Sequence, residues 1–302
     1  MRIGNQWTMK SVELHRTAAP IYALCCDDAD VLVGCGDGHL LAWSPADPGS
    51  IRLAATAPSS IFSLAMLADG RIGMGTSAGE LILVDRAAGK AVQRVQSHTS
   101  AIHAVLKLGP ERLATAGADG ILRIWAKGPA GYAPLRSITL CDSKLRGLAL
   151  SLNGELMAVA CGDGPVRVLD TVLFNEALTF TGHVGGTLSV AFHPSKPAIL
   201  SGGKDGLLRA WPISGNSDTS PAIEAHRGAI YGIAFSPEGE GLATASRDKH
   251  VKLWDANALE HKARLDHRSA GHRYSVNAVA WGVHGLYSAG DDRRLLRWTN
   301  AH

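Results

Sequence analysis

One short pattern recurs along this chain and limits what it can fold into. An Asp-Gly turn sits between two apolar runs, and Trp follows six residues after the Asp. The best copy is Gly117–Trp125, Gly-Ala-Asp-Gly-Ile-Leu-Arg-Ile-Trp, with Arg112–Ala116 before it and Ile121–Trp125 closing it. Asp-Gly flanked in this way is a strong hairpin signal, because Gly takes positive φ without steric cost. Asp37–Trp43, Asp119–Trp125, Asp205–Trp211, Asp248–Trp254 and Asp292–Trp298 keep both ends of the pattern. Ala78–Val84 and Asp163–Leu169 share the frame in worn form, with Asp85 and Asp170 next. The copies end at positions 43, 84, 125, 169, 211, 254 and 298, so successive spacings are 41, 41, 44, 42, 43 and 44. A unit of that size cannot bury its own apolar face, so neighbouring units must stack.

A period in the low forties with a Trp/Asp ending is the signature of β-propeller blades. On these residues the chain resembles the WD40-repeat family over nearly its whole length. The family's dipeptide survives only as Trp254-Asp255. The resemblance implies an all-β, seven-bladed WD40-type β-propeller with four antiparallel strands per blade. Residues 1–302 are expected to form one propeller, with blades near 15–55, 56–96, 97–138, 140–181, 182–224, 225–266 and 271–298. The last blade runs out of chain after Trp298. A strand over 5–14, anchored by Trp7, Met9 and Val12, is expected to pair there and close the ring, since an open edge would leave N–H and C=O groups unpaired. The polar stretch Pro212–Pro221 reads as an exposed loop.

A second residue class follows the same frame. His15, His98, His183, His226 and His272 precede the Asp of their blade by 20 to 22 positions. Val33, Thr115, Ser201, Thr244 and Ser288 stand four positions before it. The resemblance implies a buried, hydrogen-bonded set of His, Ser/Thr, Asp and Trp. Four blades match it: His98/Thr115/Asp119/Trp125, His183/Ser201/Asp205/Trp211, His226/Thr244/Asp248/Trp254 and His272/Ser288/Asp292/Trp298. Blade one has Val33 in the hydroxyl position, and blades two and four lack the set. Such a network stiffens a blade when every member is satisfied. Blades two and four are therefore expected to be the softer ones.

Little here suggests catalysis. A Ser-His-Asp triad is needed once, whereas this grouping occurs four times. Gly75–Gly79 matches G-x-S-x-G but lies on a strand-to-strand turn, not the strand-to-helix turn that motif uses. Cys25, Cys26 and Cys35 fall on adjacent strands, and His261, His267 and His272 are close in sequence, yet no paired C-x2-C spacing marks a metal site. Gly34–Gly38 is a glycine-rich hairpin with no helix after it, which excludes a dinucleotide fingerprint. No cofactor and no metal are expected. The net charge of +3 is too small for a bulk nucleic-acid binder. Residues 1–11 carry no apolar signal core, and no apolar run reaches membrane-spanning length. Five cysteines without framework spacing favour a reducing compartment, so a cytoplasmic location is expected.

What remains is surface. In the WD40 family, partners often dock on the face where the inner strands begin, around the central channel. Two positions per blade carry this, and the resemblance transfers them. The second residue of each inner strand gives Tyr22, Phe62, His103, Arg146, Leu188, Tyr231 and Asn277. The residue before the turn Asp gives, among others, Lys204, Arg247 and Asp291, and Lys144 lies beside Arg146. Aromatics and Arg concentrate binding energy. The basic side formed by Lys144, Arg146, Lys204 and Arg247 suits an acidic or phosphorylated peptide segment. The expected function is a non-catalytic scaffold or adaptor for other proteins, as a subunit of a larger complex and with no fused catalytic domain. The alternative is a propeller enzyme or small-molecule binder that uses the channel, with His103, Arg146 and Asp291 as its candidate groups.

Overall fold

The computed structural model describes residue 7, residues 9–213 and residues 220–300. Part of the N-terminal expectation (residues 5, 6 and 8) and the middle of the Pro212–Pro221 loop (214–219) lie outside these. Among the described residues, twenty-eight strands form seven four-stranded antiparallel sheets, each built from consecutive strands except the last. In that sheet the order is Met9–Arg16, Arg294–Asn300, Gly285–Gly290, Val276–Gly282. The chain's first described strand thus pairs with its last, from Met9 opposite Asn300 to Arg16 opposite Arg294. This is the ring closure of a seven-bladed propeller. Among the described residues the one helix is a short 3-10 turn, His267–Ser269, capped by Asp266. No helix is long and apolar enough to cross a membrane.

The closing strand differs from the expectation in its placement. It runs to Arg16, so His15 belongs to the last blade's sheet, paired with Leu295, and not to the start of blade one. Met9 packs into the core of the last blade and Trp7 lies against it, but Val12 is 46% exposed and anchors nothing. The alternation of a strand with one wet face explains this: Val12 points the wrong way.

The core lies between blades. Leu32, Leu40 and Ala42 of blade one pack on Ile61, Ile72 and Met74 of blade two, and equivalent clusters recur around the ring. Close approach is set by a small residue on the second strand. A Cβ on Gly34 would stand 2.8 Å from Ile61 Cγ2, and on Gly75 or Gly202 2.6 Å from Ile102 or Ile230 Cγ2. Glycine at these positions lets the next blade's inner strand seat its first residue.

All four expected polar sets form. Thr115 Oγ1 accepts from Trp125 Nε1 at 3.1 Å and faces His98 Nε2 at 2.8 Å, while His98 Nδ1 lies 2.8 Å from Asp119 Oδ1. Ser201 links Trp211 (2.7 Å) and His183 (2.8 Å), with His183 Nδ1 3.1 Å from Asp205. Thr244 links Trp254 (3.0 Å) and His226 (2.8 Å), with His226 Nδ1 3.0 Å from Asp248. Ser288 links Trp298 and His272, both at 2.8 Å, and His272 lies 2.8 Å from Asp292. Only one proton arrangement satisfies every member: Trp N–H to hydroxyl, hydroxyl to His Nε2, and His Nδ1–H to carboxylate. Each Asp also accepts backbone N–H groups from the His loop and its own turn, as Asp119 does from Thr99 and Ile121. The set therefore ties the loop before the inner strand to the turn between the middle strands.

Burial holds the His98, His183 and His226 imidazoles below their ordinary range, against the raising pull of the paired carboxylates. For Asp119, Asp248 and Asp292 burial acts to raise the pKa, but the histidine and backbone donors outweigh it and bring it down.

Blades one, two and four fill the hydroxyl position with Val33, Met74 and Val159, all fully buried. In blade one Trp43 Nε1 turns to Pro48 O at 3.2 Å. There Thr17, and not His15, takes the histidine's place: its N–H donates to Arg293 O, as His98 N–H donates to Gly79 O.

Candidate docking face at the channel mouth

Each inner strand breaks its register at its second residue. The shift falls between Ile21 and Ala23, Ile61 and Ser63, Ile102 and Ala104, Leu145 and Gly147, Thr187 and Ser189, Ile230 and Gly232, and Val276 and Ala278. A bulge leaves one residue unpaired and re-aims its side chain. The seven residues so freed are Tyr22, Phe62, His103, Arg146, Leu188, Tyr231 and Asn277. All seven are half-buried and all line one central cavity of about 600 Å³. Arg247 and Asp291 also line it, whereas Lys144 and Lys204 are exposed on the same face outside its lining.

The turns beside the mouth are pinned in the same way in every blade. The N–H of Gly36, Ser77, Ala118, Gly162, Lys204, Arg247 and Asp291 each donates to a carbonyl just before the inner strand, at 2.8 to 3.0 Å. The residues of this second set therefore stand at a fixed height around the rim.

The lining is continuous on one side. Tyr22 meets Phe62 edge-on with centroids 5.0 Å apart, and Phe62 stacks on His103 at 5.7 Å with the planes 6° apart. Arg146 Nη1 then lies 3.0 Å from His103 Nε2. Burial, helped by Arg146 and Lys144, pushes the His103 imidazole down to about 3. It is neutral at pH 7 and accepts from the guanidinium. Desolvation also lowers the Arg146 pKa. No salt bridge involves Arg146 among the described residues. On the other side Asn277 Nδ2 donates to Asp291 Oδ1 at 2.7 Å and to Ile21 O at 3.0 Å, bridging blade seven to blade one.

The trio His103, Arg146 and Asp291 is not assembled. The first two touch, but Asp291 is held by Asn277 in blade seven. The two sequence-level metal candidates also fail to gather. Cys25 packs with the blade-two core, Cys26 and Cys35 with Tyr287. His261 meets Trp254 edge-on, and His272 is committed to Asp292 and Ser288.

Two positions at the turns of blades six and seven stand out. The residue after the turn Asp is glycine with positive φ in blades one, three, four and five, but Lys249 (φ 77°) in blade six and Arg293 (φ 64°) in blade seven. Non-glycine residues in this region carry strain, which clusters at functional surfaces. Arg293 lines a second groove between blades seven and one, with Arg273, Arg16 and the exposed Tyr274. Asp291 lines both this groove and the central cavity.

The repeats match known sequences at this point. The family described as "WD domain, G-beta repeat" is found at residues 89–126, 174–212 and 219–255. The chain carries WD40 repeats. The matched WD40 stretches end at or just past Trp125, Trp211 and Trp254, the tryptophans of three complete polar sets. Similar proteins include the probable cytosolic iron-sulfur protein assembly protein 1 of Kluyveromyces lactis, 32% identical over 43% of this chain and 42% of that protein. The U5 small nuclear ribonucleoprotein 40 kDa protein of Dictyostelium discoideum is 29% identical over 47% of this chain and 41% of its own length. Polycomb protein esc of Drosophila melanogaster is 34% identical over 38% of this chain and 28% of its own. This WD40 chain thus spans less than half the length of each of these relatives.

Proposed function

We propose that this WD40 chain acts as one rigid, non-catalytic scaffold that docks a partner protein on the channel-mouth face. One observation carries the reading: seven register breaks aim seven side chains into one mouth, and these include an aromatic–histidine–arginine arc. Aromatic and Arg side chains around a desolvated centre are the usual composition of a binding hot spot. The relatives' names, an assembly protein and a ribonucleoprotein component among them, agree with work done inside complexes.

The partner segment is acidic or phosphorylated. Arg146 is a half-buried cation whose one polar partner among the described residues is a neutral imidazole. A carboxylate or phosphate would give it the charge-assisted bond it lacks. Arg247, Lys249, Arg273 and Arg293 continue this character across blades six and seven, two of them in strained backbone. A cytoplasmic setting fits the five free thiols.

The test is quantitative capture of a partner first identified with the parent protein. Tyr22/Phe62/Tyr231 changed together to Ala should lose that partner while the fold persists. Retention of the same partner at parental yield would remove the rim from consideration. Retention after Arg146→Glu with Arg247→Glu would remove only the acidic-ligand reading.

A further inference from the structure

Blade four departs from the polar sets in a coordinated way. In blade three the residue two before the turn Asp is Gly117, and a Cβ there would fall 2.1 Å from His98 Nδ1. Gly203 stands in the same relation to His183, at 2.3 Å. In blade four the histidine's place is taken by Cys141, whose carbonyl approaches Gly120 as the His98 carbonyl approaches Gly79. The glycine's place is taken by Cys161. Two thiols therefore stand where blades three and five place a histidine and a glycine, and the turn carboxylate, Asp163, is retained. The Sγ atoms of Cys141 and Cys161 and a carboxylate oxygen of Asp163 lie within 4.8 Å of one another.

We propose that Cys141, Cys161 and Asp163 bind a thiophilic divalent cation such as Zn²⁺. Two thiolates and one carboxylate are an ordinary donor set for this ion, whose bonds of about 2.0–2.3 Å a small inward movement of the three groups would satisfy. Asp163 is exposed, which leaves a fourth position open to water.

Arg167 stands beside the cluster, and its Nε is unpaired, as is that of Arg209 at the same position in blade five. Its Nη2 bonds Asp163 at 3.3 Å and its Nη1 bonds Glu176 at 3.2 Å. Two thiolates and Asp163 carry three negative charges, a divalent ion leaves one, and Arg167, shared with Glu176, offsets it in part. Binding releases two thiol protons to solvent and involves no electron transfer.

A packing-only explanation is that the thiols simply fill space left by the missing ring. The experiment separates the two. The full chain, fully reduced, is titrated with Cd²⁺ while thiolate-to-metal charge-transfer absorption is recorded, and Zn²⁺ is then added to compete. One equivalent of Cd²⁺ should saturate the band and a large excess of Zn²⁺ should diminish it. Cys161→Ser and Cys141→Ser should each remove it, Cys25→Ser with Cys26→Ser should leave it intact, and Arg167→Gln should weaken binding by about 10–100-fold. A wild-type chain that shows no band, or closes a Cys141–Cys161 disulfide in place of binding, overturns the proposal whether or not the variants fold. A band that survives Cys161→Ser overturns it too.

Discussion

Thr115→Val removes one hydroxyl and keeps the side chain's shape. That hydroxyl is the centre of its set: it accepts from Trp125 Nε1 at 3.1 Å and donates to His98 Nε2 at 2.8 Å. Trp125 and His98 are both only 2% exposed, so water cannot replace the lost partner. Two buried polar atoms are orphaned at about 1–3 kcal/mol each, which gives about 2–6 kcal/mol of destabilisation. Adding Trp125→Phe removes one orphan, so the double variant should be less destabilised than the sum of the singles by about 0.5–3 kcal/mol. The reciprocal change, Val159→Thr in blade four, buries a hydroxyl beside Leu169, which offers it no donor or acceptor on its side chain, and should cost about 1–3 kcal/mol. The assay is equilibrium urea denaturation, reading the midpoint at constant slope. A Thr115→Val chain within about 0.5 kcal/mol of the parent, the range typical of an inert surface change, would refute the view that these sets brace the blades.

The other expectations follow from the same features. Stability should fall as pH drops below about 6.5, because His98, His183 and His226 are held neutral in the fold and the unfolded chain takes up the protons first. A second fall should come below about 4, as the depressed carboxyls of Asp119, Asp248 and Asp292 resist protonation in the fold alone; a midpoint flat from pH 7.5 to 5 would contradict this. Amide exchange should be faster in the loops before the inner strands of blades two and four, where no histidine ties loop to turn, than in blades three, five, six and seven; equal protection would argue otherwise. Deleting residues 1–16 strips the strand paired with Arg294–Asn300, and cooperative unfolding of the last blade should disappear; an unchanged melting curve would show that closure by this strand is dispensable.

Much of this architecture is local in sequence and was therefore legible. An Asp-Gly turn and its Trp lie within seven residues, and a His and its Asp within 22, so the repeat exposes them. The features that escape are those joining neighbouring blades. Tyr22 and Phe62, or Ser63 Oγ and Ile102 O, meet from about forty residues apart. Nothing in Ile21–Cys26 announces the register break that aims Tyr22 inward. His15 misled because loop length varies by two residues; the backbone bond from Thr17 to Arg293 fixes the true alignment. Cys141 and Cys161 stand 20 residues apart with no C-x2-C spacing, so only the alignment of blade four on blade three brings them together.

The most direct test of the docking account places a photo-crosslinking residue at Phe62, in the channel mouth, and in a separate chain at Val172, an exposed position in the turn after the third strand of blade four. A discrete protein adduct should form at position 62 and vanish with Arg146→Glu, and none should form at 172. Adducts formed at 172 alone, or equally at both positions and indifferent to Arg146, would contradict it.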